Sequence, residues 1–137
     1  MQLKITTDYA IRTILHLATT KRITSSAEVA DAMGIPQKYL INTIGTIKRA
    51  GLVETYSGTH GGYALAKAPS DISLGDIIEV MEGTTKINRC LEEGHYCSRG
   101  AANDCPIRRV YAELQERIET YLKSISIDQL LSPDFQA

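Results

Sequence analysis

All three cysteines of this chain lie in one short segment. Cys90, Cys97 and Cys105 fall within residues 89–106, RCLEEGHYCSRGAANDCP, a stretch that contains Gly and Asn and ends at a proline. Six residues separate the first pair of cysteines and seven separate the second. A flexible loop of this kind can direct thiolates toward an iron–sulfur cluster, whereas structural zinc sites usually have a Cys-x-x-Cys knuckle, which is lacking here.

Two other interpretations of the cysteine segment, residues 84–105, stay open. The cysteines could form a thiol redox switch, or they could be chemically inert. Three cysteines would leave at least one position of a cluster to another residue, from this chain or from a partner. The odd number of cysteines and the absence of a signal-peptide pattern at the N-terminus argue against a disulfide framework. We expect a cytoplasmic protein without a membrane span, because no apolar run reaches about 18 residues.

Charge divides the chain into two unlike halves. The 137 residues suit one domain, or a small domain with an appendage. Residues 1–68 carry eight Lys/Arg against four Asp/Glu, whereas residues 69–137 carry seven against twelve. The N-terminal half can therefore meet a polyanion, which the C-terminal half should avoid.

Three predicted helices open the chain and include a helix-turn-helix pattern. The first runs from Asp8 to about Thr20, the second is capped by Ser25 or Ser26 and stopped by Gly34, and Pro36 opens the third. The third helix, QKYLINTIGTIKRA, places Leu40, Ile44 and Ile47 on one face and Lys38, Asn42, Gly45 and Arg49 on the other. Lys and Asn can contact phosphates and base edges, so this polar face is a candidate DNA-reading surface, although a solvated face would look similar.

A predicted β-hairpin follows the third helix. Residues 52–56 and 63–66 have strand patterns and flank the glycine-rich turn SGTHGG. A hairpin in this place is typical of a winged helix, with His60 near the tip of the wing. The candidate DNA contacts of the helix and wing are Gln37, Lys38, Tyr39, Ile41, Asn42, Arg49, Ser57, Thr59, His60 and Gly61. A fourth helix, LGDIIEVMEG, follows, with Ser73 and Asp76 as a capping box and Gly83 at its end.

The longest helical pattern begins at Pro106. Its apolar residues recur at alternating spacings of four and three, which is a heptad seam. Such a seam predicts dimerisation, which would present two reading helices to DNA half-sites about 34 Å apart, although packing within its own domain is the alternative. The predicted seam residues are Ile107, Tyr111, Leu114, Ile118, Tyr121 and Ile125. The tail from Ser132 is expected to be frayed.

These motifs together resemble the Rrf-type winged-helix regulators, a family that includes IscR and NsrR. The resemblance covers TTDYAIRTILHLA, IPQKYLINTIGTIKRAGLVET, GGYALAK, ISLGDIIEVMEG, the cysteine segment and ISIDQLL. It implies a homodimer that binds DNA through the winged helix and holds an iron–sulfur cluster, [4Fe-4S] or [2Fe-2S], on its cysteine loop. By position, Cys90, Cys97 and Cys105 would be ligands, and Lys38, Ile41 and Asn42 would meet bases.

Three departures from the family pattern sharpen these expectations. IscR-like members carry a histidine three residues after the last cysteine, where this chain has Arg108. NsrR-like members use an aspartate in the first helix of the partner subunit, and Asp8 matches it; the leading candidate for the fourth ligand is therefore Asp8 of the partner, followed by His95. The cysteine spacing is longer than in either group, and Ile41 and Ser57 replace polar or basic DNA contacts of relatives.

We therefore expect a mainly α protein with a small β-hairpin, divided into three parts. Residues 1–83 form the winged helix-turn-helix domain, residues 84–105 the cluster-binding loop, and residues 106–137 the dimerisation helix and tail. The expected function is a dimeric regulator, a repressor, that senses iron–sulfur status, redox state or nitric oxide. A cluster-free thiol-sensing regulator is the alternative. A small metalloenzyme or electron carrier lacks support, since no nucleophile–base, phosphate-loop or zincin motif is present.

Overall fold

The chain folds into six α-helices and one two-stranded antiparallel sheet over residues 1–136, the part that our computed structural model describes. The mainly helical fold with one hairpin, predicted from the sequence, is confirmed. Two short 3-10 turns, Pro69–Asp71 and Arg89–Leu91, lie before α4 and within the cysteine segment. The main elements are α1 (Ile5–Thr20), α2 (Ser26–Met33), α3 (Gln37–Arg49), β1 (Val53–Tyr56), β2 (Gly62–Leu65), α4 (Leu74–Glu82), α5 (Pro106–Ser124) and α6 (Ile127–Leu131).

Helix α1 is the central element of the fold. It packs against α2, α3, α4, α6 and β2, and its inward face carries Ala10, Ile14, Leu17 and Ala18, each at most 3% exposed. These residues recur every three or four positions, as an amphipathic helix requires. The helix begins at Ile5, three residues earlier than expected. The residue that caps this earlier start is distant in sequence. The N–H of Lys4 donates to Oε1 of Glu82 at 2.9 Å, so the end of α4 caps the start of α1.

The helix ends predicted for α2 and α4 are confirmed in detail. Ser25 caps α2, since its hydroxyl accepts from the N–H of Glu28 at 3.2 Å, and Gly34 ends that helix with a left-handed φ of 62°. Ser73 and Asp76 form the capping box of α4, with hydrogen bonds of 3.0 and 2.9 Å. Local sequence therefore determines these boundaries.

The hairpin gains a third backbone partner from the link between α1 and α2. Val53 pairs with Leu65, and Tyr56 with Gly62. Thr24 then bridges Tyr63 through two backbone hydrogen bonds of 2.9 and 2.8 Å. A side chain at Gly62 would overlap the carbonyl of Thr24, so this close approach requires glycine. The link between α1 and α2 therefore connects the wing to the helix-turn-helix.

One residue of the predicted dimer seam, Ile125, lies outside α5. The helix stops at Ser124, and Ile125 is an extended residue with φ −99° and ψ 108°. The N–H of Leu74 donates to the carbonyl of Ile125 at 2.8 Å, and Ser73 and Ser126 form a β-bridge. Ile125 leaves the helix because its backbone pairs with the start of α4. The five earlier seam residues remain on α5.

Helix α6 returns the C-terminal part of the chain to the core. Ser126 and Gln129 form its capping box, and Ile127 is fully buried within the cluster that α1 organises. The residues just before Ser132 are therefore anchored, although they belong to the expected dimerisation part, residues 106–137. Within residues 1–136, no helix combines the length and apolarity that crossing a bilayer requires.

Candidate nucleic-acid interface and cysteine segment

Helix α3 has one buried face and one open polar face. Leu40, Ile44 and Ile47 are at most 2% exposed and fill the core. The opposite side is open to solvent and carries the six candidate contacts of this helix. The helix contains three basic residues and no acidic residue, so its exposed face is electropositive. These exposed residues are Gln37, Lys38, Tyr39, Ile41, Asn42 and Arg49.

The start of α3 is held by its neighbours. The Gln37 side-chain amide donates to the Ser26 hydroxyl at 3.4 Å, which joins the first turns of α3 and α2. The Tyr39 ring lies 6.4 Å from the ring of Tyr9 on α1, centroid to centroid, in a tilted contact. The first turn of α3 is thus attached to α1 and α2 through Gln37 and Tyr39.

Arg49 and Ile41 define two details of the polar face of α3. The Arg49 guanidinium folds back over Gly45, 3.6 Å from where a Cβ at that residue would stand, and donates to the Thr46 hydroxyl at 3.2 Å. The Arg49 side chain therefore covers Gly45 on the polar face of α3. Ile41 is 51% exposed, which makes it an apolar patch within the polar face.

The wing tip carries the remaining candidate contacts. Ser57, Thr59 and His60 are exposed, and Gly61 closes the turn by donating its N–H to the carbonyl of Gly58 at 3.0 Å. A Cβ at Gly61 would overlap the backbone of the preceding residues. The turn therefore requires glycine at this position, whether or not Gly61 also contacts DNA. The wing therefore offers hydroxyl and imidazole groups without bulky side chains.

The structure does not assemble a metal site from the cysteines. Cys90, Cys97 and Cys105 are free thiols of intermediate exposure. Across residues 1–136, no three His, Cys, Asp or Glu side chains converge on a common point. Three unpaired thiols on one loop nevertheless form a donor set whose chemistry suits an iron–sulfur cluster. The chemistry of the group therefore fits these residues, while the arrangement seen here does not bring them together.

Each cysteine has a different backbone environment. Cys90 lies in the turn Arg89–Leu91, where its N–H donates to the Asn88 side chain at 3.3 Å. Cys105 is the N-cap residue of α5. Hydrogen bonds from the backbone amides of Ala101 and Arg99 hold the pKa of the Cys97 thiol below its ordinary value. Cys97 is thus the thiol whose surroundings favour the anionic form required of a ligand or a nucleophile.

The two candidates for a fourth ligand are engaged differently. Asp8 forms an ion pair with Arg12 of the same helix, with 2.6 Å between Oδ2 and Nη2. His95 is exposed and has a left-handed φ of 48° beside Gly94. Neither residue joins the cysteines within this chain, so their roles as ligands stay predictions.

Arg108, which stands where IscR-like members have histidine, has a structural contact instead. Its Nε donates to the backbone carbonyl of Cys90 at 2.9 Å. This hydrogen bond links the start of the cysteine loop to the first turn of α5. Sequence comparison alone marks Arg108 as a missing ligand and does not reveal this contact.

The outer face of α5 is apolar and open. Ile107 and Tyr121 are 56% and 54% exposed, and Leu114 is 41% exposed. Val110, which the heptad interpretation omitted, is 63% exposed and widens the same strip. An exposed apolar strip of this length on one helix is typical of an interaction surface. Its use for dimerisation stays a prediction.

Sequence reasoning missed Gln115, which lies beside the apolar strip on the inward side of α5. This side chain is 4% exposed and bonds to the backbone of residues 85 and 87. A glutamine between charged residues on a helix has an ordinary surface pattern, so the sequence carries no local signal for its burial.

Comparison with known proteins agrees with this geometry. The family model Rrf2, described as an iron-dependent transcriptional regulator, matches residues 3–133. An HTH-type transcriptional regulator of Aquifex aeolicus (strain VF5) is 31% identical over 128 residues, which cover 93% of this chain and 89% of that relative.

Solved structures show the same fold. IscR of T. potens superposes with a TM-score of 0.74 at 28% identity, over 96% of this chain and 86% of that one. CymR (YrzC), the global cysteine regulator of B. subtilis, gives 0.79 at 25% identity over 95% of both chains. A transcriptional regulator of Listeria innocua gives 0.80 at 24% identity over 99% of this chain and 90% of that one, a likeness of fold alone.

Proposed function

This chain belongs to the Rrf2 family of transcriptional regulators, and on that premise we propose that it binds operator DNA as a homodimer and senses its signal through the cysteine segment. One observation carries the proposal: α3 buries Leu40, Ile44 and Ile47 in the core while the opposite face, basic and polar, is open to solvent. A helix with this division of faces can enter the major groove without losing its packing.

DNA binding is tested directly by selection from a random duplex library. The full-length protein should enrich one sequence with two-fold symmetry, because a dimer presents two copies of α3 to two half-sites. Affinity for the selected duplex should fall steeply with salt, since Lys38 and Arg49 displace counterions from phosphates. Binding that is equally strong to every duplex, or absent, would contradict the proposal.

The proposed dimer rests on the exposed apolar strip of α5. Placing a charge there with Leu114→Glu should give a monomer in light scattering, because a buried carboxylate is costly at an apolar interface. Thr120→Glu adds the same charge to an exposed position of α5 outside the predicted seam and should leave the dimer intact. A Leu114→Glu protein that remains dimeric would show that the dimer interface lies outside this strip.

We propose an iron–sulfur cluster as the group that the cysteine segment holds. Cys90, Cys97 and Cys105 would be its ligands, with Asp8 of a second subunit as the leading candidate for the fourth and His95 next. Bound there, such a cluster would supply reactivity toward oxidants and nitric oxide. The chain's own part is to keep the three thiols accessible, which their intermediate exposure supports, and to stabilise the Cys97 thiolate through backbone amides.

Anaerobic purification tests the cluster and its fourth ligand. The protein should contain iron and sulfide and absorb visible light, and Mössbauer spectra should define the cluster type. Asp8→Ala should make the absorption decay faster, whereas Asp31→Ala, which removes an exposed acid from α2, should not. If the absorption of Asp8→Ala decays at the native rate, the fourth ligand is not Asp8, and His95 or a small molecule becomes the candidate.

Thiol sensing is the second candidate function, and the environment of Cys97 favours it. A thiol whose amide neighbours lower its pKa reacts faster with oxidants than an unperturbed thiol. Mass spectrometry of metal-free protein after peroxide treatment would then show a reversible sulfenate or disulfide, and the same treatment would change operator affinity. Loss of that change in Cys97→Ser, with no iron in the native protein, would select this function over the cluster.

A further inference from the structure

Helix α5 has a polar stripe that runs beside its apolar strip, about a quarter of a turn around the helix. Arg108, Gln115 and Glu119 are spaced by seven and four residues, so they share one face of the helix. This face meets the segment of residues 85–90, which connects α4 to the first cysteine. The polar stripe of α5 therefore contacts the cysteine segment, whereas the apolar strip is exposed.

Gln115 binds the backbone of this segment at two points. The N–H of Ile87 donates to Gln115 Oε1 at 2.8 Å, and Gln115 Nε2 donates to the carbonyl of Thr85 at 3.0 Å. One amide thus satisfies a donor and an acceptor two residues apart, as a neighbouring β-strand would. Because Gln115 is 4% exposed, water cannot easily replace either bond.

Glu119 completes the attachment one turn further along α5. A single carboxylate oxygen, Oε1, accepts from Lys86 Nζ at 2.7 Å, from Thr85 Oγ1 at 3.2 Å and from Gln115 Nε2 at 2.9 Å. The Lys86 hydrogen bond is the main reason that the pKa of Glu119 lies below its ordinary value. Consecutive residues of the segment are therefore fixed to one face of α5.

Arg108 makes the corresponding attachment at the far end of the segment. Its Nε donates to the carbonyl of Cys90 at 2.9 Å, while Cys105 begins α5 itself as the N-cap. The backbones of two cysteines are thus fastened to the helix, and Cys97 lies between them on the free part of the loop. A change in the bonding of Cys97 therefore acts on a loop whose two ends are attached to α5.

From these contacts we propose that Gln115 and Arg108 are positioning residues that couple the cysteine segment to α5. The inference deepens the proposed function and rests on it, since the cysteines are taken to be the sensor. In this arrangement a rearrangement of the loop changes the position of α5, and with it the apolar strip, through side chains that bind neither DNA nor a metal. Arg108 thereby has a mechanical role at the position where relatives have a ligand.

Hydrogen exchange measured by mass spectrometry on the full-length, metal-free protein tests this coupling without DNA or cluster. In Gln115→Met, which keeps the volume but removes both backbone bonds, exchange in residues 84–90 should rise by roughly tenfold while α1 and α3 are unchanged. Arg108→Met should have the same effect nearer Cys90. Arg109→Met, the exposed neighbour, is the matched control and should change neither region.

Alkylation of the thiols with iodoacetamide then tests whether a change in the cysteine segment reaches α5 through these side chains. In the native protein, alkylation should alter exchange in residues 84–90 and in the turn of α5 that carries Gln115 and Glu119 together. In Gln115→Met and Arg108→Met, the response of the segment should persist while the response of α5 falls below about half, because the connecting bonds are gone.

An α5 that responds equally in native and variant proteins, or not at all in the native protein, would overturn the proposal. A Gln115→Met or Arg108→Met protein in which residues 84–90 exchange at the native rate would also overturn the proposal. If Gln115→Met fails to fold, Arg108→Met still decides, since Arg108 lies outside the buried core. Failure of operator binding would leave these results untouched, so the coupling and the proposed function can fail separately.

Discussion

The DNA-binding half and the cysteine segment are built on opposite principles. In the winged helix, α1 gathers side chains from five elements into one apolar cluster, and residues such as Ile14 and Ile47 are fully buried. Residues 84–105, all within the described chain, include no buried residue, and their backbone depends on turns, glycines with positive φ and side chains of α5. The winged helix is stabilised by its own apolar packing. The cysteine segment is held instead by its turns and by side chains of α5.

This difference separates the two tasks of a regulator. A reading helix must keep its geometry to discriminate sequences, so a packed core suits it. A sensor must rearrange, so a segment of low local stability suits it. Substitutions should therefore affect the two regions in unlike ways.

The largest expected effect on stability lies in the core. Ile47→Ala leaves a cavity beneath α3 and should lower the free energy of unfolding by about 2–5 kcal/mol. Ile41→Ala, on the same helix but 51% exposed, should change it by no more than about 0.5 kcal/mol. Urea denaturation of both variants measures the contrast. Equal losses would show that the winged helix is not packed as described.

A loss of function without a loss of stability is expected at the exposed face of α3. Asn42→Ala or Lys38→Ala should reduce affinity for the selected operator by about 1–3 kcal/mol if a good base contact is removed. Both residues are exposed, so the urea midpoint should stay at the native value. Fluorescence anisotropy measures the affinity. Native affinity in both variants would mean that another face of α3 reads DNA.

A smaller effect, dependent on pH, is expected where α4 caps α1. The hydrogen bond from Thr7, followed by the backbone amide of Lys4, lowers the pKa of Glu82 in the folded protein. A lowered folded pKa stabilises the protein above the unfolded value of about 4.3 and loses that contribution as pH falls through the folded pKa. Glu82→Gln should therefore be less stable at pH 7 and lose less stability on acidification.

Urea titrations at a series of pH values measure this contribution. Glu116→Gln removes an exposed carboxylate of α5 and is the matched control, which should follow the native curve. A Glu82→Gln protein with the native slope below pH 5 would exclude Glu82 as a source of acid sensitivity.

The smallest effect on stability is expected in the cysteine segment. Cys97→Ser should change the free energy of unfolding by no more than about 0.5 kcal/mol, because the side chain is only partly buried and lies outside the core. Iron content of anaerobically purified protein should nevertheless fall, since a thiolate ligand is lost. A Cys97→Ser protein that unfolds like a core variant would contradict the contrast between the two regions.

The sequence predicts those parts of the fold whose cause is local. Ser73 with Asp76, Gly34 and the apolar spacing of α3 each specify a boundary or a face within a few residues, and all are observed. The sequence does not predict the cap that Glu82 supplies to α1 or the bridge between Thr24 and Tyr63. These depend on contacts between elements that come together only in the folded chain.

The candidate site divides in the same way. Exposure of Lys38 and Asn42 follows from helical periodicity and could be predicted. The burial of Gln115 and the contact of Arg108 with Cys90 could not, because polar residues on a helix carry no signal for their partners. The three thiols form no disulfide and no shared metal site within residues 1–136, and their use as ligands stays a prediction.

The pairing of Leu74 with Ile125 makes the C-terminal end of α5 a pivot. The 19 residues of that helix span about 28 Å. A rotation of about 5° at the pivot would therefore displace the first turn, which carries the cysteine segment, by about 2.5 Å. Because Ile127 is fully buried in the core that α1 organises, removing α6 would release this end of α5 and also expose the core that supports the reading helix.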